Sequence, residues 1–186
     1  MDFLRIIRAF SAGVLVLMSF QSPVRAQAPE YEVKAAMLHR FALFVDWPAK
    51  AFSTAASPFF VCVVGGDPFG PWLRHEMGGT RIGTHPVEIR YPGSADAGYC
   101  QMIFICRSEQ RRLEHVMMLL RSTNALLVSD MRDIGKFCRK GGMIGLIIED
   151  NKVRFELNSR AAARKGFKID SRMQRIAASV TCGEVP

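Results

Sequence analysis

Phe59-Phe60-Val61-Cys62-Val63-Val64 is an unbroken apolar run of strand length. A strand with one face in water would alternate apolar and polar residues. A continuous run reads instead as a strand covered on both faces. Such a strand needs packing layers on each side, and the rest of the chain supplies candidates for them. Gly65-Gly66-Asp67-Pro68 turns the chain, and residues 68–77 read as a short helix with proline in its first turn. Residues 87–91 form a second strand candidate between Pro86 and Pro92; residues 102–106 and 125–128 are a third and a fourth. Between these last two, Ser108 reads as the N-cap of a helix with a Leu113, Val116, Met117, Leu120 stripe. A weaker helix spans residues 131–140.

The flanks complete the pattern. Residues 31–45 read as a helix whose apolar face is Val33, Met37, Leu38, Phe41, Phe44 and Val45. Trp47-Pro48 ends it, because proline pushes the preceding residue out of the helical region. Phe41, Phe44, Val45 and Trp47 are read as core rather than as a partner surface. After Gly141-Gly142, residues 143–149 and 153–157 are two strands joined through Asp150-Asn151, which tolerate the backbone of a tight hairpin. Val153, Phe155 and Leu157 alternate with Arg154, Glu156 and Asn158, so that strand has one buried face. Asn158 caps a helix over residues 159–165 that stops at Gly166, and Ser171 caps a last helix through Ala178. The expectation is an α/β fold: a single layered domain with a mostly parallel mixed sheet, flanking helices and a C-terminal antiparallel hairpin.

Arg5 and Arg8 precede an apolar stretch from Phe10 to Phe20, and small residues follow at Val24-Arg25-Ala26 and Ala26-Gln27-Ala28. This is the layout of a cleaved secretory signal. The apolar stretch makes about 16 Å of helix at 1.5 Å per residue, short of a hydrocarbon core of about 30 Å. Residues 1–26 are therefore expected to be a signal peptide cleaved at Ala26 or at Ala28, and residues 27–186 one domain. Export places the mature chain in the periplasm, where there is no ATP and thiols oxidise.

Residues 1–26 hold Arg5, Arg8, Arg25 and Asp2, so their removal lowers the formal net charge from +8 to +6. The remaining basic residues are scattered rather than blocked, and few aromatics lie among them. They read as solvated helix faces and not as a nucleic-acid surface. All five cysteines, Cys62, Cys100, Cys106, Cys138 and Cys182, lie in the mature part. None forms a C-x-x-C pair, and His39, His75, His85 and His115 are scattered, so neither a redox pair nor a metal site is expected. If the strands bearing Cys62 and Cys100 are neighbours, those two cysteines fall within bridging distance; the alternative is a buried free Cys62. Cys138 with Cys182 is a second candidate pair, both being near element ends.

Catalytic patterns are thin. Gly65-Gly66-Asp67-Pro68-Phe69-Gly70 follows a strand, where doubly wound folds cradle phosphates, yet it lacks a Walker lysine and the G-x-G-x-x-G spacing. It reads as a structural turn. Ser94 with Asp96, and Ser129-Asp130, have no nucleophile elbow around them. No catalytic residue and no cofactor is assigned.

In combination, several segments resemble the YfiR family. They are Val33-Lys34-Ala35-Ala36-Met37 with Phe41-Ala42-Leu43-Phe44-Val45-Asp46-Trp47-Pro48, then Phe60-Val61-Cys62-Val63-Val64-Gly65-Gly66-Asp67-Pro68-Phe69-Gly70. Phe104-Ile105 with Ser108-Glu109 and Leu127-Val128-Ser129-Asp130 follow. Gly141-Gly142-Met143-Ile144, Val153-Arg154-Phe155-Glu156-Leu157-Asn158, Ala161-Ala162, Gly166 and Lys168-Ile169 close the set. The resemblance implies an exported α/β protein without catalytic activity. It implies binding to the periplasmic sensor region of an inner-membrane diguanylate cyclase, repression of that cyclase in cyclic-di-GMP signalling, and sequestration by an outer-membrane lipoprotein. It also implies disulfides that support the fold and make the regulator redox-sensitive, with Cys62 and Cys100 at the family's strand cysteine and its downstream partner. Cys106 and Cys182 match no family position. Homo-oligomerisation is compatible with this reading, and the interface is unassigned. The alternative function is a periplasmic small-molecule-binding module that uses the cleft beside Gly65-Gly66. A hydrolase is a third reading, without a convincing nucleophile.

Overall fold

Seven strands form one sheet in the order β3-β4-β2-β5-β6-β7-β8. The computed structural model describes residues 27–182 apart from Ala55; the expected signal segment and its cleavage at Ala26 lie outside the described residues. In chain order the elements begin with α1 (Gln27–Phe44), β1 (Val45–Asp46), β2 (Phe59–Val64), α2 (Trp72–Met77), β3 (Arg81–Ile82) and β4 (His85–Arg90). Next come β5 (Met102–Ile105), α3 (Leu113–Leu120), β6 (Leu126–Ser129), α4 (Ile134–Arg139), β7 (Ile144–Glu149) and β8 (Lys152–Leu157). The chain then forms α5 (Ser159–Arg164), β9 (Lys168–Ile169) and α6 (Ser171–Ile176). Strands β4, β2, β5, β6 and β7 are parallel; β3 and β8 close the edges antiparallel. The α/β layered reading holds, with a second small antiparallel sheet of β1 and β9 that two-residue strands do not announce in sequence.

The two faces of the sheet carry separate cores. Phe59, Val61 and Val63 of β2 pack with Met102, Phe104, Leu126 and Val128 under α1, α2, α5 and α6. Cys62 and Val64 point the other way, with Ile103, Ile105 and Leu127, and pack against α3 and α4. Period-two alternation within fully buried strands produces this division. It also explains why β2 is apolar at every position: each residue meets a helix layer.

Local chemistry accounts for most element ends. Asp150 and Asn151 have φ of 49° and 58°, as a tight β7–β8 hairpin requires. Asn158 Oδ1 accepts the Ala161 N–H at 3.0 Å and caps α5. Three expectations are corrected. Ser108 caps no helix: a 3-10 turn over Arg107–Arg112 precedes α3, and the Ser108 hydroxyl accepts the Gly66 N–H at 3.0 Å instead. Asp170 rather than Ser171 caps α6, through the Arg172 N–H at 2.7 Å, and α6 ends at Ile176, short of Ala178. Val33 is 46% exposed, because the buried face of α1 is Tyr31, Lys34, Ala35, Leu38, Phe41 and Ala42. Met37 and Phe44 are only partly buried against it.

Residues 178–182 run along the outer edge of β8. The Leu157 N–H donates to Ser179 C=O at 2.7 Å, and the Cys182 N–H donates to Leu157 C=O at 2.8 Å. The tail thus covers a strand edge that would otherwise present unpaired backbone groups.

Close packing of α4 on β7 depends on Gly145. A Cβ there would lie 2.2 Å from Ile134 Cγ2. Gly145→Ala is expected to cost about 1–3 kcal/mol in urea unfolding. Combined with Ile134→Ala, the loss should be smaller than the sum of the two single changes, since the obstructing methyl is gone.

Candidate functional site

α1 lies on the sheet with a lysine in its buried face. Lys34 is 1% exposed, and its Nζ donates to Asp130 Oδ2 at 2.6 Å. Asp130 follows β6 directly, and the alternation Leu126, Val128, Asp130 aims its carboxylate at α1. The Tyr31 hydroxyl, one turn before Lys34, donates to the same oxygen at 2.7 Å. Arg107, in the turn after β5, donates through Nε to the Asp130 carbonyl at 3.1 Å, and its guanidinium stands 3.7 Å from Oδ2. Glu30 makes an ion-pair contact with Lys34 at 2.5 Å and lies 3.9 Å from Arg107. Asp130 Oδ1 is buried without a hydrogen-bond partner among the described residues.

This cluster ties α1 to the carboxyl ends of β5 and β6. Burial, and next the hydrogen bond to Asp130, push the Tyr31 hydroxyl well above its ordinary pKa, so it stays a donor. Its ring meets Phe69 edge-on at 5.5 Å, and Phe69 meets Phe104 at 4.8 Å. The turn after β2 therefore joins the same assembly. Gly65 sits there at φ +105°, and a Cβ on it would fall 2.6 Å from Ser108 Oγ. Only glycine allows that turn to approach the turn after β5 so closely.

Two nucleophile-type side chains near this cluster, Ser129 and Cys106, are both buried. Ser129 is fully buried, and its hydroxyl donates to Ile105 C=O at 2.7 Å. Cys106 is a buried free thiol. Burial, followed by the nearby carboxylates of Asp130, Asp67 and Glu109, raises its pKa strongly, which keeps it protonated and unreactive. Among the described residues, no group of three or more His, Cys, Asp and Glu is placed to hold a metal ion. No described helix is long and apolar enough to cross a membrane.

The structure brings the remaining cysteines together in pairs. Cys62 in β2 is bonded to Cys100, with 6.0 Å between alpha carbons, and Cys138 in α4 to Cys182, at 5.8 Å. Both bridges lie in the core on the α3–α4 face. One ties β2 to the turn entering β5; the other ties the C-terminal tail to α4. Phe41 and Val45 are buried, and Trp47 is half-buried with its ring edge-on to Phe59 and Phe167. Phe44 instead helps line an apolar hollow with Met37, Phe41, Phe155, Met173 and Ile176, flanked by Arg40 and Arg172. Lys34 and Asp130 were present in the sequence motifs but not assigned as partners. Their signal was a lysine three residues after Tyr31 and four before Leu38, hence inside the buried stripe.

These features define a three-layer α/β domain clipped by two disulfides, with a buried ion cluster where a catalytic centre would otherwise be sought. The chain belongs to the YfiR/HmsC-like family, whose model matches residues 31–178. A crystal structure of a conserved domain protein from Vibrio cholerae O1 biovar El Tor superposes with a TM-score of 0.55 at 11% identity, over 80% of this chain and 59% of that one. This chain thus spans about three fifths of the length of that structure, and at such identity the likeness concerns the fold alone. A domain from Streptococcus pneumonia, crystallised in complex with L-Trp, aligns at a TM-score of 0.47 and 9% identity, over 64% of this chain and 54% of that one. No curated protein matches the chain.

Proposed function

We propose that this protein is an exported, periplasmic regulator that works by binding rather than by catalysis. Its partner in this reading is the periplasmic sensor region of an inner-membrane diguanylate cyclase, which it holds in the inactive state. Membership of the YfiR/HmsC-like family across residues 31–178 is the observation that carries the reading. Two buried disulfides suit an oxidising compartment. The inert Ser129 and Cys106 suit a protein without a nucleophile. Repression needs no chemistry: moving a two-state partner from almost wholly active to almost wholly inactive takes about a 10⁴-fold preference for one conformation. An outer-membrane lipoprotein that sequesters the regulator would then relieve repression.

Expression of the full chain should lower cellular cyclic-di-GMP, and expression without residues 1–26 should leave it unchanged. The oxidised protein should retain a cyclase with a periplasmic sensor region from detergent-solubilised membranes. No change in cyclic-di-GMP and no cyclase retained under oxidising conditions would remove the proposal.

A further inference from the structure

The strand order reverses at β2: β4 lies on one side of it, and β5, which follows β4 in the chain, on the other. Open α/β sheets take ligands in the crevice beyond the carboxyl ends of the strands at such a reversal. Beside that crevice, beyond the carboxyl ends of β5 and β6, the structure opens a depression of about 420 Å³ lined by Arg107, Ser108, Gln110, Arg111 and Arg132, with Ser108 bonded to Gly66 of the turn after β2.

What these side chains already bond to leaves them with donors only. Gln110 Oε1 accepts the Arg132 N–H at 3.1 Å, which leaves the amide NH₂ to donate. Ser108 Oγ accepts the Gly66 N–H, which leaves its own hydrogen. Arg107 uses Nε on the Asp130 carbonyl and keeps other N–H groups. Among the described residues the Arg111 and Arg132 guanidinium groups make no ion pair or side-chain hydrogen bond, and both residues are exposed. Among the described residues no carboxylate lines the depression. Glu109 is taken by Arg112 at 2.6 Å; Glu30 and Asp130 bind Lys34 most closely and also stand 3.9 and 3.7 Å from Arg107, so the charge they leave unmet is that of Arg111 and Arg132. Three guanidinium forks and two oriented neutral donors around an open hollow match a small oxyanion with two negative charges.

We propose that this depression binds a soluble tetrahedral dianion of the inorganic phosphate class. Anion uptake and cyclase capture are read by separate measurements, so loss of the one is distinguishable from loss of the other. Because Arg107 also holds Asp130, an occupant reaches α1 through a single side chain.

The test is equilibrium dialysis of the oxidised protein against inorganic phosphate at constant ionic strength, with chloride as the balancing anion. Saturable uptake of one phosphate per chain is expected. R111A/R132A should weaken it about tenfold or more, with unchanged circular dichroism because both residues are exposed. R154A, which removes the partner of Glu149 on β8 rather than a lining residue, should bind as the parent does. R132K, which keeps the charge and loses the fork, should fall between them. Unsaturable uptake, parent-like binding by R111A/R132A, or binding to phosphatidic acid vesicles with none to free phosphate would each overturn the proposal.

Discussion

Asp130→Ala is expected to destabilise the protein by about 3–5 kcal/mol, because it leaves the Lys34 ammonium buried without its main counter-ion. That is a large share of the roughly 5–15 kcal/mol that keeps a domain folded. Glu30 Oε1, buried and 2.5 Å from Lys34 Nζ, remains as a counter-ion but without a hydrogen bond to it, so it offsets part of the loss and the lower end of that range is expected. Tyr31 loses its acceptor at the same time. Lys34→Met should cost less than Asp130→Ala, because Arg107 remains 3.7 Å from the carboxylate and Tyr31 still donates to it. The double variant Lys34→Met/Asp130→Leu should recover most of the stability, since apolar residues of similar volume often replace a buried ion pair at no net cost. Urea unfolding of the four proteins decides the matter. If Asp130→Ala costs under about 1 kcal/mol, the pair behaves as a solvated contact and the cluster does not anchor α1.

Loss of the Cys138–Cys182 bridge is expected to cost about 4 kcal/mol in the chain-entropy view, where closing a loop of this length restrains the unfolded chain. The sequence separation is 44 residues, against 38 for Cys62–Cys100, so the two bridges should contribute similarly to global stability. Their local consequences differ. Cys182 ends the tail segment that covers β8, and Cys138→Ala/Cys182→Ala should let that segment open on its own. Hydrogen exchange should then accelerate at the backbone amides of positions 157 and 182, which bond across this edge, before the rest of the sheet is affected. Cys62→Ala/Cys100→Ala should instead weaken the sheet as a unit, since Cys62 sits in an interior strand paired on both sides. Parent-like exchange at Leu157 after removal of Cys138–Cys182 would mean that backbone hydrogen bonds hold the tail without the bridge.

Much of the sheet was legible because its strands are buried on both faces. Residues 59–64 announce β2 with every side chain, and the runs over 102–106, 125–128 and 143–149 find β5, β6 and β7 within a residue or so at each end. Turn chemistry worked where one residue decides the backbone locally, as at Asp150-Asn151 and Asn158. It failed where two polar residues compete. Ser108 has a suitable helix downstream, but its hydroxyl is taken by Gly66 in the turn after β2, 42 positions earlier. Asp170 and Ser171 are adjacent candidates, and the carboxylate took the cap. On α1 the helical periodicity holds, but a face chosen from apolar residues alone includes Val33, which is exposed, and omits Lys34, which is buried.

The chain by itself determined the layered α/β class and which strands run through the middle, because fully buried strands and striped helices write their environment into consecutive residues. It also carried the family motifs from Val33 onwards. Only the tertiary structure decided that Lys34 and Asp130, 96 positions apart, share one buried bond, that Ser108 belongs to Gly66, and that three arginines from two separate turns surround one hollow. Those pairings depend on strand order and on the alternation of side chains at strand ends. Long-range register of this kind is set by the packing of whole layers, and no local window of sequence contains it.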